Sequence, residues 1–304
     1  MRALVTGAGG FVGGWLLREL RSRGATVYAG SLEGTAGGAD TTEDVEWLAL
    51  DVTSTVSVRA AMERAAPEAV FHLAGQSSVG DSFADPLGTW EVNATGTLRV
   101  AEALPPGARL LLAGSAEVYG PVAEAEQPIG EDRPLRPQNP YAASKAAAEM
   151  AALQAGARAE VVVARSFNHT GPGQDARFAL ASFAGQLAAI RRGEAEPVLR
   201  VGNLSARRDL LDVRDVVRAY LRLVEAGRPG EVYNVASGEA RSIREAVETL
   251  VELSGTDARI EVDPARVRPV DVPLLCGDAR RLRGLGWEPR IPFRRTLEDL
   301  LGAA

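Results

Sequence analysis

A tyrosine and a lysine stand four residues apart in the segment Asn139-Pro-Tyr-Ala-Ala-Ser-Lys145. Asn139 is a good N-cap residue and Pro140 suits the first helical position, so the segment predicts the start of a helix. Residues four apart lie on one face of a helix, which would bring Tyr141 and Lys145 together. A neighbouring ammonium group favours tyrosinate and lowers the pKa of a tyrosine from about 10. Tyr141 is therefore predicted to be a proton donor and acceptor near neutral pH, with Lys145 as its partner.

A serine follows the apolar run 109–113, in the segment Gly114-Ser-Ala-Glu-Val-Tyr-Gly120. If this run is a strand, Ser115 lies at its carboxyl end, where ligands bind in open parallel sheets. Ser115 is predicted to hydrogen-bond the reacting oxygen alongside Tyr141.

Three glycines, Gly7, Gly10 and Gly13, lie between a short apolar run and a helical pattern. Glycines at such a point permit a tight turn and let backbone N–H groups approach a pyrophosphate at the positive end of the helix. The alternative is a glycine-rich turn without a ligand, but the strand before it and the helix after it favour a phosphate loop. Phe11 and Val12 belong to the same loop, and they are predicted to contact the dinucleotide cofactor that carries this pyrophosphate.

The end of the second predicted strand bears on the choice between NAD(H) and NADP(H). A carboxylate there would accept bonds from the adenosine ribose of NAD, but Tyr28-Ala-Gly-Ser31 supplies none. Ser31 is the polar group at this point, so NADP(H) is predicted as the preferred cofactor and NAD(H) remains possible. Asp51 and Val52 come after the third strand and are predicted to contact the cofactor. Asp51 either accepts from the adenine amino group or is a carboxylate at the start of a helix.

Short apolar runs alternate with helical patterns through the first half of the chain. The runs are 2–6, 26–29, 45–50, 69–73, 109–113 and 160–164, and the longer helical patterns are 11–23, 86–103 and one beginning near residue 140. This alternation predicts an α/β fold, a Rossmann-type doubly wound parallel sheet. We expect a NAD(P)-binding domain at 1–165, to which 210–236 returns, and a smaller domain at 166–304, mainly substrate-binding, which packs over the carboxyl ends of the strands.

Composition excludes several classes of function. The 304 residues include 34 Lys plus Arg against 40 Asp plus Glu, for a formal net charge of −6, which argues against general nucleic-acid binding and a polybasic membrane surface. One cysteine, Cys276, cannot form an internal disulfide, and two histidines support no metal site. Since no signal peptide or membrane span is recognisable either, a cytoplasmic protein is expected.

These motifs resemble those of the extended short-chain dehydrogenase/reductases, the epimerase/dehydratase group that acts on nucleotide sugars. The phosphate loop resembles their TGxxGxxG pattern, and 71–79 and 93–96 resemble their fourth-strand and following-helix motifs. The resemblance continues through 165–174, 201–209, 212–220 and 266–273, so it covers nearly the whole chain.

The resemblance also implies ligand contacts. Asn168 and Arg208 would contact the diphosphate with Arg268, although Arg207 leaves open which guanidinium points inward; Asp271 would take ribose hydroxyls. Asn203 and Leu204 would lie near the base, and the edge formed by Leu73, Ala74 and Gly75 would contact the cofactor. Gln76 and Ser78 would contact sugar or cofactor, with a purely structural loop as the alternative, and His72 is expected to pack on its strand.

By resemblance, the chain is expected to reduce the C4 ketone of GDP-4-dehydro-6-deoxy-D-mannose to GDP-D-rhamnose, although the sequence does not fix the base. Glu117 keeps a GDP-mannose 4,6-dehydratase open, because the matching glutamate of related dehydratases handles protons at C5 and C6. A nucleotide-sugar 4-epimerase and a non-catalytic cofactor sensor are weaker alternatives. Two chains are expected to pair through 86–103 and 140–155 as a four-helix bundle.

Overall fold

The computed structural model describes residues 1–36, 44–157, 159–266 and 272–304. Seven parallel strands form the main sheet in the order β10-β6-β5-β4-β1-β2-β3. Strand order reverses between β1 and β4, so the carboxyl ends of these strands border the crevice where ligands bind in this fold. This confirms the predicted α/β class. The strands are β1 (Arg2–Thr6), β2 (Thr26–Ser31), β3 (Glu46–Ala49), β4 (Ala69–His72), β5 (Arg109–Ser115), β6 (Glu160–Ser166), β7 (Asn168–Thr170), β8 (Val198–Val201), β9 (Arg207–Asp212), β10 (Val232–Val235), β11 (Ala240–Ser242), β12 (Arg259–Val262) and β13 (Leu274–Leu275).

Helices cover both faces of this sheet, because its strands are apolar on both sides. One face packs against α1 and α8, and the other against α2, α5 and α6. The helices are α1 (Phe11–Ser22), α2 (Thr55–Ala65), α3 (Val79–Ala84), α4 (Pro86–Trp90), α5 (Gly96–Glu102), α6 (Pro140–Leu153), α7 (Ala179–Arg191), α8 (Val213–Ala226), α9 (Ile243–Ser254), α10 (Arg280–Arg283) and α11 (Phe293–Gly302).

A third apolar cluster belongs to the second half of the chain, where α7, α9 and α11 pack around β8. Two small sheets accompany it, one with β7, β9, β11 and β13 and one with β8 and β12. β10, in contrast, pairs with β6 at the edge of the main sheet. No helix among the described residues is both long and apolar enough to cross a membrane.

The predicted continuous helix 86–103 is wrong in one respect. A π-helix at Glu91–Thr95 separates α4 from α5. In this segment Asn93 is 1% exposed, and its side chain bonds both to the backbone of Gln76 and to Ser144 on α6. Such tertiary bonds can outweigh the local preference for a regular helix, and π-turns are often found at functional sites.

Candidate active site

The loop between β1 and α1 is a cradle that only glycine allows. Gly7 has φ +67°, and a Cβ there would lie 2.7 Å from the backbone nitrogen of Ala74. A Cβ at Gly13 would lie 2.5 Å from the carbonyl oxygen of Ala8, so glycine lets the first turn of α1 close on the loop. Gly10 caps α1 without a side-chain bond, which leaves the first N–H groups of the helix for a ligand. These features fit the pyrophosphate of a dinucleotide.

The face of α1 beside this loop contacts the segment that follows β6. Phe11 stacks on His169, and Trp15 Nε1 donates a hydrogen bond of 3.1 Å to the carbonyl oxygen of Pro172. Val12, next to Phe11, is half-buried against the core of the sheet. The predicted phosphate loop and the predicted substrate segment are therefore neighbours.

The ends of β2 and β3 lie beside the phosphate loop. A Cβ on Gly9 would come within 4.0 Å of Ser31 Cβ, and Ser31 Oγ donates to the carbonyl oxygen of Thr35 at 2.9 Å. Asp51 Oδ1 accepts bonds from the backbone nitrogen and the hydroxyl of Thr53, at 2.8 and 2.7 Å. The next residue, Val52, is buried in the core. Asp51 thus shapes the turn before α2, and its contact with adenine stays a prediction.

The segment 73–75, which follows β4, lies close to Lys145 on α6. Leu73 and Ala74 are half-buried and Gly75 is exposed. A Cβ at Gly75 would lie 3.6 Å from Lys145 Nζ and only 2.9 Å from Asn93 Oδ1. A larger residue at Gly75 would crowd Asn93, so glycine lets the loop after β4 pack against Asn93 and lie near Lys145.

The predicted Tyr141, Lys145 and Ser115 come together at the carboxyl end of β5. Asn139 caps α6, since its Oδ1 accepts from the backbone nitrogen of Ala142 at 2.7 Å. Lys145 Nζ donates to the carbonyl oxygen of Ala113 at 2.8 Å, which fixes the ammonium against β5. The Tyr141 hydroxyl is hydrogen-bonded to the side chain of Ser115, the last residue of β5.

The predicted lowering of the Tyr141 pKa is wrong. Burial raises the pKa of Tyr141 to about 12, because a charged phenolate is poorly solvated here, and the bond with Ser115 only partly opposes this. Burial also lowers the pKa of Lys145 to about 8. Both residues lie on α6 as predicted, but desolvation, and not the charge of Lys145, decides the direction of the Tyr141 shift. Its phenol is thus protonated at neutral pH and suited to donate a proton.

Glu117 lies in the 3₁₀-helix Ala116–Tyr119 directly after Ser115, and its backbone nitrogen donates to Ser115 Oγ at 3.2 Å. Its carboxylate is half-buried, and its negative charge contributes to the raised pKa of Tyr141. Glu117 therefore lies close enough to Tyr141 for its charge to act on the phenol.

Gln76 and Ser78 line the loop that follows β4. Gln76 Nε2 donates to the carbonyl oxygen of Ser78 at 2.7 Å, and Ser78 Oγ caps α3 by accepting from the backbone nitrogen of Asp81 at 3.2 Å. Gln76 Oε1 is buried and meets no donor among the described residues. This oxygen is suited to accept a bond from a ligand hydroxyl, whereas Ser78 Oγ already serves the helix.

The predicted substrate residues of the second half are only partly described. Asn168 is exposed on β7, and Asn203 Oδ1 accepts from the backbone nitrogen of Ser205 at 2.9 Å. The Leu204 side chain is buried in the third apolar cluster, so contact with a base would use its backbone. Arg207 pairs with Glu124 at 2.9 Å, and Arg208 Nη1 donates to the carbonyl oxygen of Arg207 at 3.0 Å. Arg268 and Asp271 lie outside the described residues.

One signal was missed in the sequence. Lys145 is the single lysine among the 34 basic residues, the other 33 being arginines. Because arginine does not lose its proton in proteins, a lone lysine in such a chain marks a position that needs a titratable ammonium group. His72 packs on β4 as predicted, and its hydrogen bonds to Thr6 and Thr97, which sequence reasoning did not foresee, join β1 to α5.

The chain matches the family model described as GDP-mannose 4,6 dehydratase over residues 4–300. The GDP-6-deoxy-D-mannose reductase of Pseudomonas aeruginosa is 44% identical to it over 241 residues, which are 77% of this chain and 79% of that protein. The GDP-mannose 4,6-dehydratase of Sinorhizobium fredii is 32% identical over 271 residues, which are 80% of this chain and 76% of that protein.

Solved structures share the fold over the whole chain. RMD from Pseudomonas aeruginosa, solved in complex with NADPH, has a TM-score of 0.88 at 37% identity, covering 99% of this chain and 98% of that chain. UDP-glucose 4-epimerase from Thermus thermophilus, solved with NAD, has a TM-score of 0.87 at 30% identity, covering 100% and 98%. The predicted resemblance to enzymes of nucleotide sugars is confirmed.

Proposed function

The chain belongs to the GDP-mannose 4,6 dehydratase family, and from that premise we propose that it is an NAD(P)H-dependent reductase of a nucleotide sugar. Its substrate is GDP-4-dehydro-6-deoxy-D-mannose and its product is GDP-D-rhamnose. The 44% identity with the reductase of Pseudomonas aeruginosa supports this substrate. The observation that carries the reaction type is that Tyr141 bonds to Ser115 at the end of β5, while Lys145, on the same helix, is anchored to Ala113 of that strand.

The cofactor is NADP(H) by preference, with NAD(H) possible. The glycine cradle at Gly7 and the uncapped start of α1 would hold the pyrophosphate. Ser31 in place of a carboxylate at the end of β2 avoids repulsion of a 2′-phosphate. When bound, the reduced nicotinamide supplies the hydride for the ketone.

Tyr141 is the proton donor to the C4 oxygen. Because its pKa is raised to about 12, the phenol stays protonated at neutral pH and can give its proton to the more basic alkoxide that forms at C4. Ser115 would orient the same oxygen. The ammonium of Lys145, fixed by Ala113, would stabilise the tyrosinate that remains.

Polar groups around the crevice would hold the sugar nucleotide. We assign Gln76 Oε1, which is buried and meets no donor in the described part of the chain, to a hydroxyl of the sugar. Asn168 and Arg208, with Arg268, are assigned to the diphosphate, because guanidinium and amide donors match its oxygens. Asp271 is assigned to the ribose, and Asn203 and Leu204 to the base.

A GDP-mannose 4,6-dehydratase is the second candidate, and the position of Glu117 beside Tyr141 favours it. A dehydratase reduces and reoxidises its cofactor within one turnover, so it needs no added NADPH. The test supplies GDP-mannose alone in one reaction, and GDP-4-dehydro-6-deoxy-D-mannose with NADPH in another. The reductase oxidises one NADPH per ketone and leaves GDP-mannose unchanged.

The variant Glu117→Gln separates the two candidates further. In a reductase, this variant keeps ketone reduction near the wild-type rate. If wild type instead converted GDP-mannose without NADPH and Glu117→Gln abolished that conversion, the dehydratase would replace the reductase. Thermal shift with GDP-, UDP- and dTDP-sugars identifies the base.

We also propose that two chains pair through α4, α5 and α6 as a four-helix bundle. Large apolar side chains are exposed on or next to these helices: Phe83 (63%), Leu87 (83%), Trp90 (47%) and Met150 (58%). Such a patch is typical of an interaction surface. Light scattering tests the dimer, and Leu87→Arg should produce monomers. We place the enzyme in the cytoplasm, where its free cysteine, Cys276, would remain reduced.

A further inference from the structure

A buried ion pair lies one helical turn beyond Lys145. Glu149 on α6 is 0% exposed, and the side chain of its partner Arg165, on β6, is 6% exposed. Arg165 Nη2 donates to Glu149 Oε2 at 2.8 Å, and Arg165 Nε lies 3.1 Å from both carboxylate oxygens. Neither residue is the proposed proton donor, and neither is among the predicted ligand contacts.

The stability of the fold does not explain this pair well. Removing two charges from water is costly, and a buried ion pair often contributes no more stability than apolar residues of the same size. Arg165 is also held by the Tyr119 hydroxyl and the carbonyl oxygen of Glu131, both at 3.0 Å, so its position is fixed. A fixed buried charge beside an active site suggests a role in the electrostatics of that site.

The Glu149 carboxylate lies against β5, the strand to which the Lys145 ammonium group is hydrogen-bonded. A Cβ at Gly114 would lie 3.1 Å from Glu149 Oε1, and the preceding residue, Ala113, accepts the hydrogen bond from Lys145 Nζ. Positions i and i+4 share one face of a helix. Glu149 and Lys145 therefore approach neighbouring residues of β5 from the same face of α6.

The charges near Lys145 leave Glu149 as its compensating anion. Burial lowers the pKa of Lys145, and the negative charge of Glu149 opposes this. Arg165 in turn opposes the effect of burial, which raises the pKa of Glu149. Among the other titratable groups, His72 on β4 interacts with Lys145, and Tyr119 after β5 interacts with Glu149, Arg165 and Glu131. Glu117 and Tyr220 interact with Tyr141, which lies one turn before Lys145 on α6.

We propose that Glu149 and Arg165 are positioning residues that keep Lys145 protonated. Glu149 compensates the ammonium charge, and Arg165 keeps Glu149 ionised and fixed against β5. The role of Lys145 in turnover rests on the proposed function, but its protonation does not, so the two can be tested separately.

The test uses the single lysine of the chain. Protein carrying lysine labelled with ¹³C at Cε gives one lysine signal in NMR, which reports the titration of Lys145 without substrate or turnover. In Glu149→Gln we expect the midpoint to fall by about one pH unit or more, because the nearby opposite charge is lost. Glu149→Asp should restore most of the midpoint. Asp215→Asn, which removes another fully buried carboxylate, should leave it unchanged.

A second variant covers the case in which Glu149→Gln does not fold because Arg165 is left unpaired. Glu149→Gln/Arg165→Met leaves neither charge buried, and we expect its Lys145 midpoint to lie below wild type but above that of the single variant. A midpoint equal to wild type in either folded variant would overturn the proposal. If the substrate assignment were wrong, these NMR titrations would give the same result, whereas no reduction of the proposed ketone would be observed.

With the proposed substrate and NADPH, the alkaline limb of kcat provides the second readout. Since activity needs protonated Lys145, it is present below the Lys145 pKa and lost above it. We expect the limb to move to lower pH in Glu149→Gln and to recover in Glu149→Asp. A fall in kcat at all pH values with no movement of the limb would contradict the proposal, because it would indicate a merely structural role.

Discussion

Phe11 and His169 stack with their ring centroids 6.3 Å apart and their planes 8° from parallel. Phe11 is the first residue of α1, and His169 lies in β7 beside Asn168. The stack therefore joins the helix at the phosphate loop to the segment predicted to contact the sugar nucleotide.

We expect Phe11→Leu to weaken the contact between α1 and β7, because it removes the ring that stacks on His169. An aromatic pair of this geometry contributes about 0.5–1.5 kcal/mol beyond its buried area, so the KM for the sugar nucleotide should rise about two- to tenfold. A double-mutant cycle with His169→Gln on the free energy of unfolding measures the same coupling. Strict additivity of the two substitutions would show that the rings do not interact.

Tyr141→Phe removes the phenolic hydroxyl and keeps the buried ring. Turnover of the ketone should fall by about 10²–10⁴, the scale of general acid–base catalysis, while the Kd for NADPH stays near wild type. Steady-state rates and fluorescence titration measure the two quantities. Tyr28→Phe, which removes a hydroxyl from a half-buried tyrosine on β2, is the control and should remain active. An active Tyr141→Phe enzyme would refute the assignment of the proton donor.

Ser31→Asp should reverse the preference between the two cofactors. A carboxylate at the end of β2 repels a 2′-phosphate and accepts bonds from ribose hydroxyls, so NADPH affinity should fall about tenfold or more, roughly 1.4 kcal/mol, while NADH affinity rises. Ser31→Ala controls for loss of the hydroxyl without adding charge. Comparison of Kd values decides the matter, and tighter binding of NADH than NADPH by wild type would disprove the predicted preference.

His72 should make the fold sensitive to acid. Thr97 donates its hydroxyl to the carbonyl oxygen of Asn93 at 2.6 Å, so it accepts from His72 Nε2, and Nδ1 is left to accept from Thr6. Burial lowers the pKa of this neutral ring to about 3, against an ordinary 6.5. Because the unfolded chain takes up a proton that the folded ring excludes, this contribution to stability is full above pH 6.5 and is lost progressively towards pH 3.

The measurement is urea unfolding at about pH 7.5 and about pH 5, which bracket the ordinary histidine pKa. His72→Gln should lose about 2 kcal/mol less than wild type over this interval, since each pH unit corresponds to about 1.4 kcal/mol. Thr97→Val removes a partner of the ring but keeps its titration, so its acid dependence should match wild type. Equal acid dependence of wild type and His72→Gln would contradict the prediction.

The sequence predicted most of the parts that depend on local pattern. Periodicity gave the strands of the first half, and the cap at Asn139 gave the start of α6, because both are properties of neighbouring residues. The direction of the Tyr141 pKa could not be obtained in this way, since it depends on burial by residues distant in sequence. The interruption at Glu91–Thr95 was missed for the same reason: it depends on bonds from Asn93 to Gln76 and Ser144.

The π-helix at Glu91–Thr95 makes the helix less regular, but it keeps the residues after it aligned with their contacts near the site. A π-turn accommodates an extra residue, and each residue turns an α-helix by about 100°. Deleting one residue here would make a more regular helix, yet it would rotate Thr97 away from His72 and Gly96 away from Val52, its present contacts. A variant with a better isolated helix would thus be a worse enzyme. Shortening this segment is the change that engineering for stability should avoid.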